Sequence, residues 1–241
     1  MQLIDQLNGD AQVDLNEGAF ILADKPQGVT SFEVVKAVRE AYNGYVNKIG
    51  HSGTLDPMAT GLLILCSGPA TKQIEHFQEL PKTYTGTCYI GAETPSLDAE
   101  TAVETAYTVG NMDTENWNQA AKQFEGGLWQ RPPAYSAVKV QGKRSYKEAH
   151  KGNQLDLQPK PITIHEFTIT SITDQQASFR VIAGKGTYVR SLIRDLAYYM
   201  GTGAYLTSLR REAIGDHTAA AALTPEAIKQ RFQQSKTAPK S

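Results

Sequence analysis

The sequence predicts a mixed α/β domain whose sheet is largely antiparallel. Strand and helix patterns interleave along the chain, successive strands are joined by short turns, and helices occur at uneven intervals. The nearest candidate for a phosphate-binding loop, residues 184–186, lacks the third glycine and the Lys-Ser/Thr ending that such loops need. With 241 residues and 40% hydrophobic side chains, the chain is long enough to bury a full core.

The first half of the chain begins with a short apolar strand, which we expect at residues 19–23. Ser31 is the predicted N-cap of the following helix. Apolar residues at helical spacing predict the buried face of this helix, which consists of Val34, Val35, Val38 and Tyr42. After a glycine-rich loop, we expect a strand at 61–66, a helix at 70–80 ended by Pro81, and a strand at 82–90.

The second half is expected to contain more strands than helices. Helices are expected over residues 114–124 and 189–200, where apolar residues recur at helical spacing. Expected strands cover residues 134–140, 162–172, 177–183 and 205–213. Thr224 and Pro225 then open a last short helix.

We expect one continuous domain over residues 1–241, because no repeat or Gly/Ser linker divides the sequence. Its core should span about residues 18–233. Residues 1–17 lack clear periodicity and the end, QQSKTAPKS, is small and polar, so both termini are expected to be partly disordered.

The net charge of −1 conceals a strong asymmetry between the two halves of the chain. Residues 1–130 contain 7 Lys and Arg against 17 Asp and Glu, whereas residues 131–241 contain 17 against 8. A polyanion responds to local charge, so the second half is the expected nucleic-acid surface. Chance clustering of solvated charges is the alternative.

The sequence also bounds the compartment and the redox chemistry. The amino terminus has no basic n-region, and the longest apolar run, residues 62–66, is far below the ~18 residues of a membrane span, so we expect a cytoplasmic protein. Cys66 and Cys88 are too few and too far apart for a disulfide framework or a CxxC site. His51 has no second ligand at zinc spacing, so no metal site is expected there.

Residues 48–61, KIGHSGTLDPMATG, form the most informative stretch of the sequence. Glycines bracket His51, Thr54 and Asp56 in a segment without helical periodicity. Glycine permits positive φ and close approach of a ligand, and Pro57 stiffens the residue before it, so we expect an active-site loop carrying Asp56. On spacing alone, a turn or helix-cap role for Asp56 is the alternative.

KIGHSGTLDPMATGLL closely resembles the catalytic signature of the TruB family of pseudouridine synthases, whose essential carboxylate is the Asp of Gly-Thr-Leu-Asp-Pro. The resemblance recurs in order along nearly the whole chain, in ADKPQGVTSFEVV, KTYTGTCYIG, RPPAYSAVKVQGKRSYKEAHKG, GTYVRSLIRDL and GAYLTSLRR. It implies the pseudouridine synthase fold and isomerisation of the uridine at position 55 in the TΨC loop of tRNA. It also implies base flipping, because a base within a folded loop cannot reach a buried carboxylate.

The resemblance implies roles for individual residues. Asp56 is implied as the catalytic nucleophile, Arg190 as the charge that keeps it ionised, and Tyr84 as a residue that stacks on the target base. The implied substrate- or RNA-binding residues are Lys25, His51, Asp98, Lys139, Lys143, Arg144, Tyr188 and Leu209. The implied RNA-gripping insertion spans about residues 127–160 and is called the basic insertion.

Without the family resemblance, more ordinary roles would be expected for several of these residues. Arg190 would be a surface cation, Tyr84 and Leu209 would belong to the core, and His51 would be a hydrogen-bonded loop histidine. A carboxylate-pair glycoside hydrolase using Asp56 and Asp98 would then be a further candidate.

The implied enzyme requires no metal or organic cofactor, binds the T-arm of tRNA, and is expected to act as a monomer without an obligate protein partner. Many relatives carry a carboxy-terminal PUA RNA-binding domain, and a full one is not expected here. Two alternatives share the scaffold: a guide-RNA-dependent synthase subunit and a non-catalytic tRNA-binding or folding protein. Pro95 and Thr101 depart from the family pattern around Asp98, and His150 stands where arginine is more frequent.

Overall fold

The computed structural model describes residues 2–5, 14–42, 46–110, 112–140, 142–149, 151–153 and 155–237. Within these ranges, the side chains of residues 2, 139, 140, 144 and 234–237 lie outside the description. The chain divides into two compact units: Met1–Thr83 with Arg210–Ser241 (unit 1), and Tyr84–Leu209 (unit 2). The expectation of one domain with a basic insertion stays a prediction.

The described strands, in chain order, are β1 (Gln2–Ile4), β2 (Ala19–Lys25), β3 (Ile49–His51), β4 (Thr60–Ser67), β5 (Lys82–Ile90), β6 (Ala92–Glu93), β7 (Thr105–Ala106), β8 (Gly126–Gln130), β9 (Lys139–Val140), β10 (Lys143–Arg144), β11 (Lys160–Thr173), β12 (Gln176–Ala183), β13 (Ala204–Ile214) and β14 (His217–Thr218). The described α-helices are α1 (Ser31–Tyr42), α2 (Ile74–Glu79), α3 (Thr114–Lys122), α4 (Ser145–Ala149), α5 (Val189–Tyr199) and α6 (Pro225–Thr237), and two 3-10 helices cover Gly68–Gln73 and Ala219–Ala221.

Unit 1 is a sheet with a hydrophobic core on each face. Its strand order is β1-β2-β4 followed by the end of β13, with β3 also paired to β4. Because side chains alternate along a strand, the odd-numbered residues of β2 and β4 pack with α1 and α6 in one core. The even-numbered residues of β4, including Leu62 and Ile64, pack with Phe77 and Ile214 in the other. The sheet therefore holds the loop between β3 and β4 on a frame that is packed on both sides.

Helix α1 begins with a reciprocal capping box. The backbone N–H of Glu33 donates to Oγ1 of Thr30 at 3.1 Å, and the backbone N–H of Thr30 donates to Oε2 of Glu33 at 2.6 Å. The predicted N-cap, Ser31, is therefore wrong by one residue, because Thr30 supplies the capping oxygen. The predicted buried face is confirmed for Val34, Val35 and Val38.

Unit 2 contains a sheet in the order β13-β5-β12-β11-β8, of which the first strand contributes its beginning. Strands β11 and β12 form a long antiparallel pair, and α3 packs against β11. Beyond the short strand β8, the backbone N–H groups of β11 donate to side chains on and just after α3: Ile172 to Thr114, Ile169 to Asn118 and Phe167 to Glu125. These bonds satisfy donors of β11 beyond the residues that pair with β8. Trp117 on α3 is 3% exposed, whereas Trp129 on β8 is 71% exposed.

The two ends of the chain are described in part, and the expectation of partly disordered termini stays a prediction. Gln2–Ile4 pairs with β2 and Leu15 is fully buried; residues 6–13 lie outside the described residues. At the other end α6 continues to Thr237, and residues 238–241 lie outside the described residues. The helix expected at 70–80 is a 3-10 helix followed by α2.

The strand expected at 134–140 exists only at Lys139–Val140. The carbonyls before it accept hydrogen bonds from helices instead of from a strand: Ser136 O from the N–H of Tyr146 at 3.0 Å, and Val138 O from the N–H of Ser145 at 2.8 Å. The predicted class is confirmed, because both units combine helices with mostly antiparallel strand pairs. Both cysteines are free and buried, and no described helix is long and apolar enough to cross a membrane.

Candidate active site

Asp56 lies in the loop between β3 and β4, at the start of a tight turn. Its backbone carbonyl accepts the N–H of Ala59 at 3.0 Å. Pro57 follows it and disfavours helical conformation at Asp56. The side chain of Asp56 is half-buried, and residues 52–59 form neither helix nor strand, as expected for the predicted loop. The turn therefore fixes the backbone of Asp56, and its side chain is not fully removed from solvent.

Ser31 fixes the residue immediately before Asp56. Its Oγ donates to the carbonyl of Leu55 at 3.1 Å and accepts the N–H of Leu55 at 2.8 Å. A buried hydroxyl that serves both backbone groups of one residue leaves that residue little freedom. The first turn of α1 is thus attached directly to the loop that carries Asp56.

Lys25 fixes the residue immediately after Asp56. Its side chain is fully buried, and Nζ donates to the carbonyls of Pro26 at 2.9 Å, Val29 at 2.7 Å and Pro57 at 3.3 Å. The carbonyl of Pro57 also accepts the N–H of Gly28 at 2.9 Å. The ammonium of Lys25 is thus surrounded by backbone oxygens; its predicted substrate- or RNA-binding role stays a prediction. Lys25 joins the segment after β2 to the Asp56 turn.

Arg211 anchors the beginning of the same loop. Its side chain is 2% exposed, with Nε donating to the carbonyl of Leu62 at 2.7 Å and Nη2 to the carbonyl of Gly53 at 3.1 Å. The backbone of Arg211 pairs with Gly61. Gly61 has φ +101°, and a Cβ there would lie 2.3 Å from the Arg211 carbonyl oxygen, so only glycine fits.

His51 is half-buried at the end of β3. Its Nδ1 accepts the N–H of Gly53 at 3.3 Å. Burial disfavours the charged ring and, to a lesser extent, the positive charge of Arg211 repels it, so the pKa of His51 lies below its ordinary value of 6.5. The ring is therefore neutral at pH 7. A neutral aromatic ring suits the stacking or wedge role predicted for it.

In unit 2, Arg190 and Asp98 form a buried ion pair. Nη1 of Arg190 lies 3.3 Å from Oδ2 of Asp98, and the two residues are 4% and 0% exposed. This ion contact lacks hydrogen-bond geometry. The nitrogens of Arg190 instead donate to the carbonyls of Ser96 and Tyr135, each at 2.8 Å. The guanidinium is thus directed from several sides, which a surface cation would not be.

The carboxylate of Asp98 is itself held by its own loop. Oδ1 accepts Oγ of Ser96 at 2.6 Å and the N–H of Glu100 at 3.0 Å. Thr101, which departs from the family pattern, accepts the N–H of Ser96 at 3.1 Å. Leu97, between these residues, has φ +62°, which is strained for a residue with a branched side chain. The side chain of Asp98 has no exposed surface and contacts the Arg190 guanidinium; its predicted substrate- or RNA-binding role stays a prediction.

The remaining predicted residues fall in unit 2. Tyr84 on β5 and Tyr188 before α5 are half-buried, and Leu209 on β13 is 8% exposed. In the basic insertion, Lys143 is exposed, whereas the side chains of Lys139 and Arg144 lie outside the described residues. The roles of these residues stay predictions.

Sequence reasoning missed two contacts that hold the Asp56 loop. Ser31 was predicted only as an N-cap, but its hydroxyl binds the backbone of Leu55, and Arg211, which binds the carbonyl of Gly53, was not singled out. The available signal for Arg211 was its position two residues after Leu209 on an alternating strand, which places both side chains on one face. A cation on a buried face must find partners. Among the described residues, no group of three His, Cys, Asp or Glu side chains could hold a metal ion.

Comparison with known proteins relates this arrangement to one family. The family model described as TruB family pseudouridylate synthase (N terminal domain) matches residues 39–189, which include Asp56, Tyr84 and Asp98. The tRNA pseudouridine synthase B of Flavobacterium johnsoniae is 43% identical over 206 residues, which cover 83% of this chain and 90% of that protein. The tRNA pseudouridine synthase B of Chloroherpeton thalassium is 43% identical over 211 residues, which cover 86% and 88%.

Solved structures show the same fold. A Cbf5-Nop10-Gar1 complex contains a chain that matches with a TM-score of 0.70 and 25% identity, covering 98% of this chain and 64% of that one. A chain of the archaeal box H/ACA sRNP Nop10-Cbf5 complex matches with a TM-score of 0.67 and 24% identity, covering 92% and 56%. This chain therefore spans less than two thirds of the length of these two solved chains.

Proposed function

The chain belongs to the TruB family of pseudouridylate synthases, and on that premise we propose that it converts uridine to pseudouridine at position 55 in the TΨC loop of tRNA. The observation that carries the proposal is the loop of Asp56. The buried side chains of Ser31 and Lys25 hydrogen-bond to the backbone of Leu55 and Pro57, on either side of a half-buried carboxylate. Such preorganisation is what a catalytic carboxylate requires and what a simple turn residue does not. We further propose that the enzyme acts as a monomer in the cytoplasm.

The reaction rearranges one bond without a net change in composition. The bond from N1 of the base to C1' of the ribose breaks, the base turns, C5 bonds to C1', and the proton on C5 is replaced by one on N1. We propose that ionised Asp56 starts the sequence as a nucleophile. No electron acceptor or phosphate donor enters this balance, so these steps call for none.

Arg190 is proposed to supply the positive charge that keeps Asp56 ionised during the reaction. Its guanidinium already has a fixed direction, since Ser96, Tyr135 and Asp98 all engage it. An opposite charge nearby favours the ionised form of a carboxyl group and lowers its pKa. Tyr84 is proposed to stack on the extruded base, and Leu209 and Tyr188 to line the substrate pocket.

The basic insertion is proposed to grip the RNA backbone. It contains seven Lys and Arg against two Asp and Glu, and Lys143 and Lys147 are exposed. Each phosphate that a lysine neutralises releases counterions, which is favourable. His51 is proposed to fill the space that the flipped base leaves. The unpairing and unstacking cost of about a few kcal/mol would be offset by these contacts.

The test is Asp56→Asn, which keeps the shape of the side chain and removes its charge. Pseudouridine formation on unmodified tRNA should be abolished, whereas the Kd for tRNA should stay near the wild-type value, because Asp56 is assigned to chemistry and not to affinity. Chemical mapping of pseudouridine by position checks both the activity and the site. Modification at another uridine would refute the site.

Asp174→Asn is the matched control for this experiment. Asp174 is exposed at the β11–β12 turn with φ +54°, a conformation that asparagine adopts readily, so activity should be retained. An active Asp56→Asn variant would refute the catalytic role. An inactive wild-type chain that gains activity only with added guide RNA and protein partners would favour the guide-dependent alternative.

A further inference from the structure

Gln130 forms two hydrogen bonds with the backbone of a single residue, Tyr188. Nε2 of Gln130 donates to the carbonyl of Tyr188 at 3.1 Å, and Oε1 accepts the N–H of Tyr188 at 2.8 Å. The side-chain amide thus matches the backbone of Tyr188 as a neighbouring strand would. Gln130 is 2% exposed, so water does not compete for these bonds.

Tyr188 is the N-cap residue of α5 and has no side-chain cap of its own. The first turn of the helix starts from it, since the N–H of Leu192 donates to its carbonyl at 3.1 Å. Arg190 lies within that first turn. Holding Tyr188 from both of its backbone groups therefore sets the direction in which the helix, and with it Arg190, leaves the preceding loop.

The same end of α5 is bonded to the beginning of the basic insertion. Oγ of Ser191 donates to the carbonyl of Arg131 at 2.9 Å, and Nη2 of Arg194 donates to that carbonyl at 3.3 Å. Nη2 of Arg190 donates to the carbonyl of Tyr135 at 2.8 Å. Residues 130–135 are therefore bound to α5 at several successive points, and Gln130 is the first of them.

We propose that Gln130 is a positioning residue for Arg190: it locks the N-cap of α5 and so couples the root of the basic insertion to the placement of the guanidinium. This inference rests on the proposed function, in which Arg190 serves catalysis. Gln130 touches neither RNA nor the reacting atoms. If the basic insertion moved, its hydrogen bonds with Tyr188 and from Arg190 to Tyr135 would move Arg190 as well. Binding of the insertion to RNA would instead keep Arg190 in its position.

The first experiment compares Gln130→Met with the wild type. Methionine preserves length and removes both hydrogen bonds. The single-turnover rate of pseudouridine formation at saturating tRNA should fall roughly 10- to 100-fold, because a small misplacement of a catalytic group has effects of that size. The Kd for a tRNA with cytidine at the target position, which cannot be isomerised, should stay within about twofold. Measurements are made well below the Tm of each variant.

Gln175→Met is the control for loss of a tertiary hydrogen bond in the same unit. Oε1 of Gln175 accepts the hydroxyl of Tyr89 at 2.7 Å. This variant should lose stability without losing the single-turnover rate. A merely structural role for Gln130 would give the same pattern as the control and would overturn the proposal.

Gln130→Glu adds a second measurement, the pH dependence of the rate, which a merely structural role of Gln130 would not change. A protonated carboxyl group can both donate to and accept from Tyr188, as the amide does, whereas the ionised form cannot donate and repels the carbonyl. The rate of this variant relative to wild type should therefore fall as the pH rises between about 6 and about 9, since burial raises the pKa of a carboxyl group.

Three results would overturn the proposal: a Gln130→Met rate within about twofold of wild type, a Kd that weakens as much as the rate falls, or a Gln130→Glu rate ratio that does not change with pH. The last test still decides the matter if Gln130→Met does not fold. Failure of the proposed function is distinguishable, because the wild-type chain itself would then form no pseudouridine.

Discussion

At the scale of single residues, the buried pair of Arg190 and Asp98 carries the largest electrostatic consequence. Both charges are removed from solvent, so each depends on the other and on the hydrogen bonds around it. Removal of one partner from a buried pair leaves an uncompensated charge, which costs far more than loss of an exposed pair. The loop around Asp98 therefore affects both stability and the direction of the guanidinium.

Asp98→Asn should lower the free energy of unfolding by about 3–5 kcal/mol, because Arg190 would face an uncharged amide in a buried site. Urea denaturation measures this change, and the single-turnover rate should fall with it. Asp156→Asn is the control, since Asp156 pairs with Arg131 at 3.2 Å on the exposed surface. Loss of that pair should cost no more than about 1 kcal/mol. Equal losses in the two variants would contradict the buried-pair interpretation.

His51 should make the stability of the protein depend on pH. Its folded-state pKa lies below 6.5, so the unfolded chain binds the proton first as the pH falls. The stability that neutral His51 contributes is present above its ordinary pKa and is lost as the pH drops through the lower, folded-state pKa. The unfolding free energy of wild type minus that of His51→Gln should therefore decrease from pH 7 to about pH 5. A difference that increases over that range would give the wrong sign and contradict the shift.

The residues of the site differ in how visible they were in the sequence. Asp56 stands in a long glycine-bracketed motif, so both its loop and its candidate role could be predicted. The roles of Lys25, Arg211 and Gln130 could not, because each bonds mainly to backbone groups, and any residue type presents the same carbonyl. The motif that contains Lys25 did not indicate that its ammonium is enclosed by backbone oxygens.

At the scale of elements, the pairing of β4 with β13 requires glycine at position 61. The strand passes so close to β13 that a side chain at this position would collide with the backbone of Arg211. Gly61 pairs with Arg211 where β4 and β13 run side by side, and the side chain of Arg211 binds the carbonyl of Gly53 in the Asp56 loop. A change at Gly61 should therefore affect both the strand pairing and the loop.

Gly61→Ala should lower the free energy of unfolding by roughly 2–5 kcal/mol, the sum of a positive-φ penalty and overpacking. The catalytic rate should fall as well, because Arg211 must move and it holds Gly53. Gly28→Ala is the control: Gly28 also has positive φ, but a Cβ there meets nothing within 4 Å. It should show only the backbone penalty of about 1 kcal/mol. Equal losses would show that the contact with Arg211 is unimportant.

Elements with strong periodicity were predicted well. Strand β5 has the expected bounds, and α3, α5, β11 and β12 differ from expectation by a few residues at their ends. The strand at 134–140 was mostly wrong, because its alternating pattern says nothing about partners, and the carbonyls there accept from Arg190, Tyr146 and Ser145. An extended segment forms a β-strand only where a neighbouring strand supplies partners for its backbone hydrogen bonds.

At the scale of the whole molecule, the uneven distribution of charge predicts how tRNA affinity responds to salt. Lys and Arg outnumber Asp and Glu only in the part of the sequence after residue 130. A surface that neutralises phosphates loses affinity linearly on a log–log scale as salt increases. The modest net charge of the chain therefore understates its attraction for RNA.

Lys143→Gln should weaken tRNA binding and reduce the slope of log K against log salt by about 0.7–0.9, the value for one phosphate contact. Filter binding over a range of salt concentrations measures it. Lys36→Gln is the control, because Lys36 is exposed on α1 and lies 3.8 Å from Glu40. Its slope should match that of wild type. An unchanged slope for Lys143→Gln would remove this residue from the RNA contacts.

The two tryptophans give unit 2 its own optical signal. Both indoles of the chain lie between Tyr84 and Leu209, one enclosed on α3 and one open to solvent on β8, so their emission should combine a blue-shifted and a red-shifted component. The open indole belongs to Trp129, the residue next to Gln130. Quenching of the red-shifted component on addition of tRNA would thus monitor the strand that leads into the basic insertion, with no added dye.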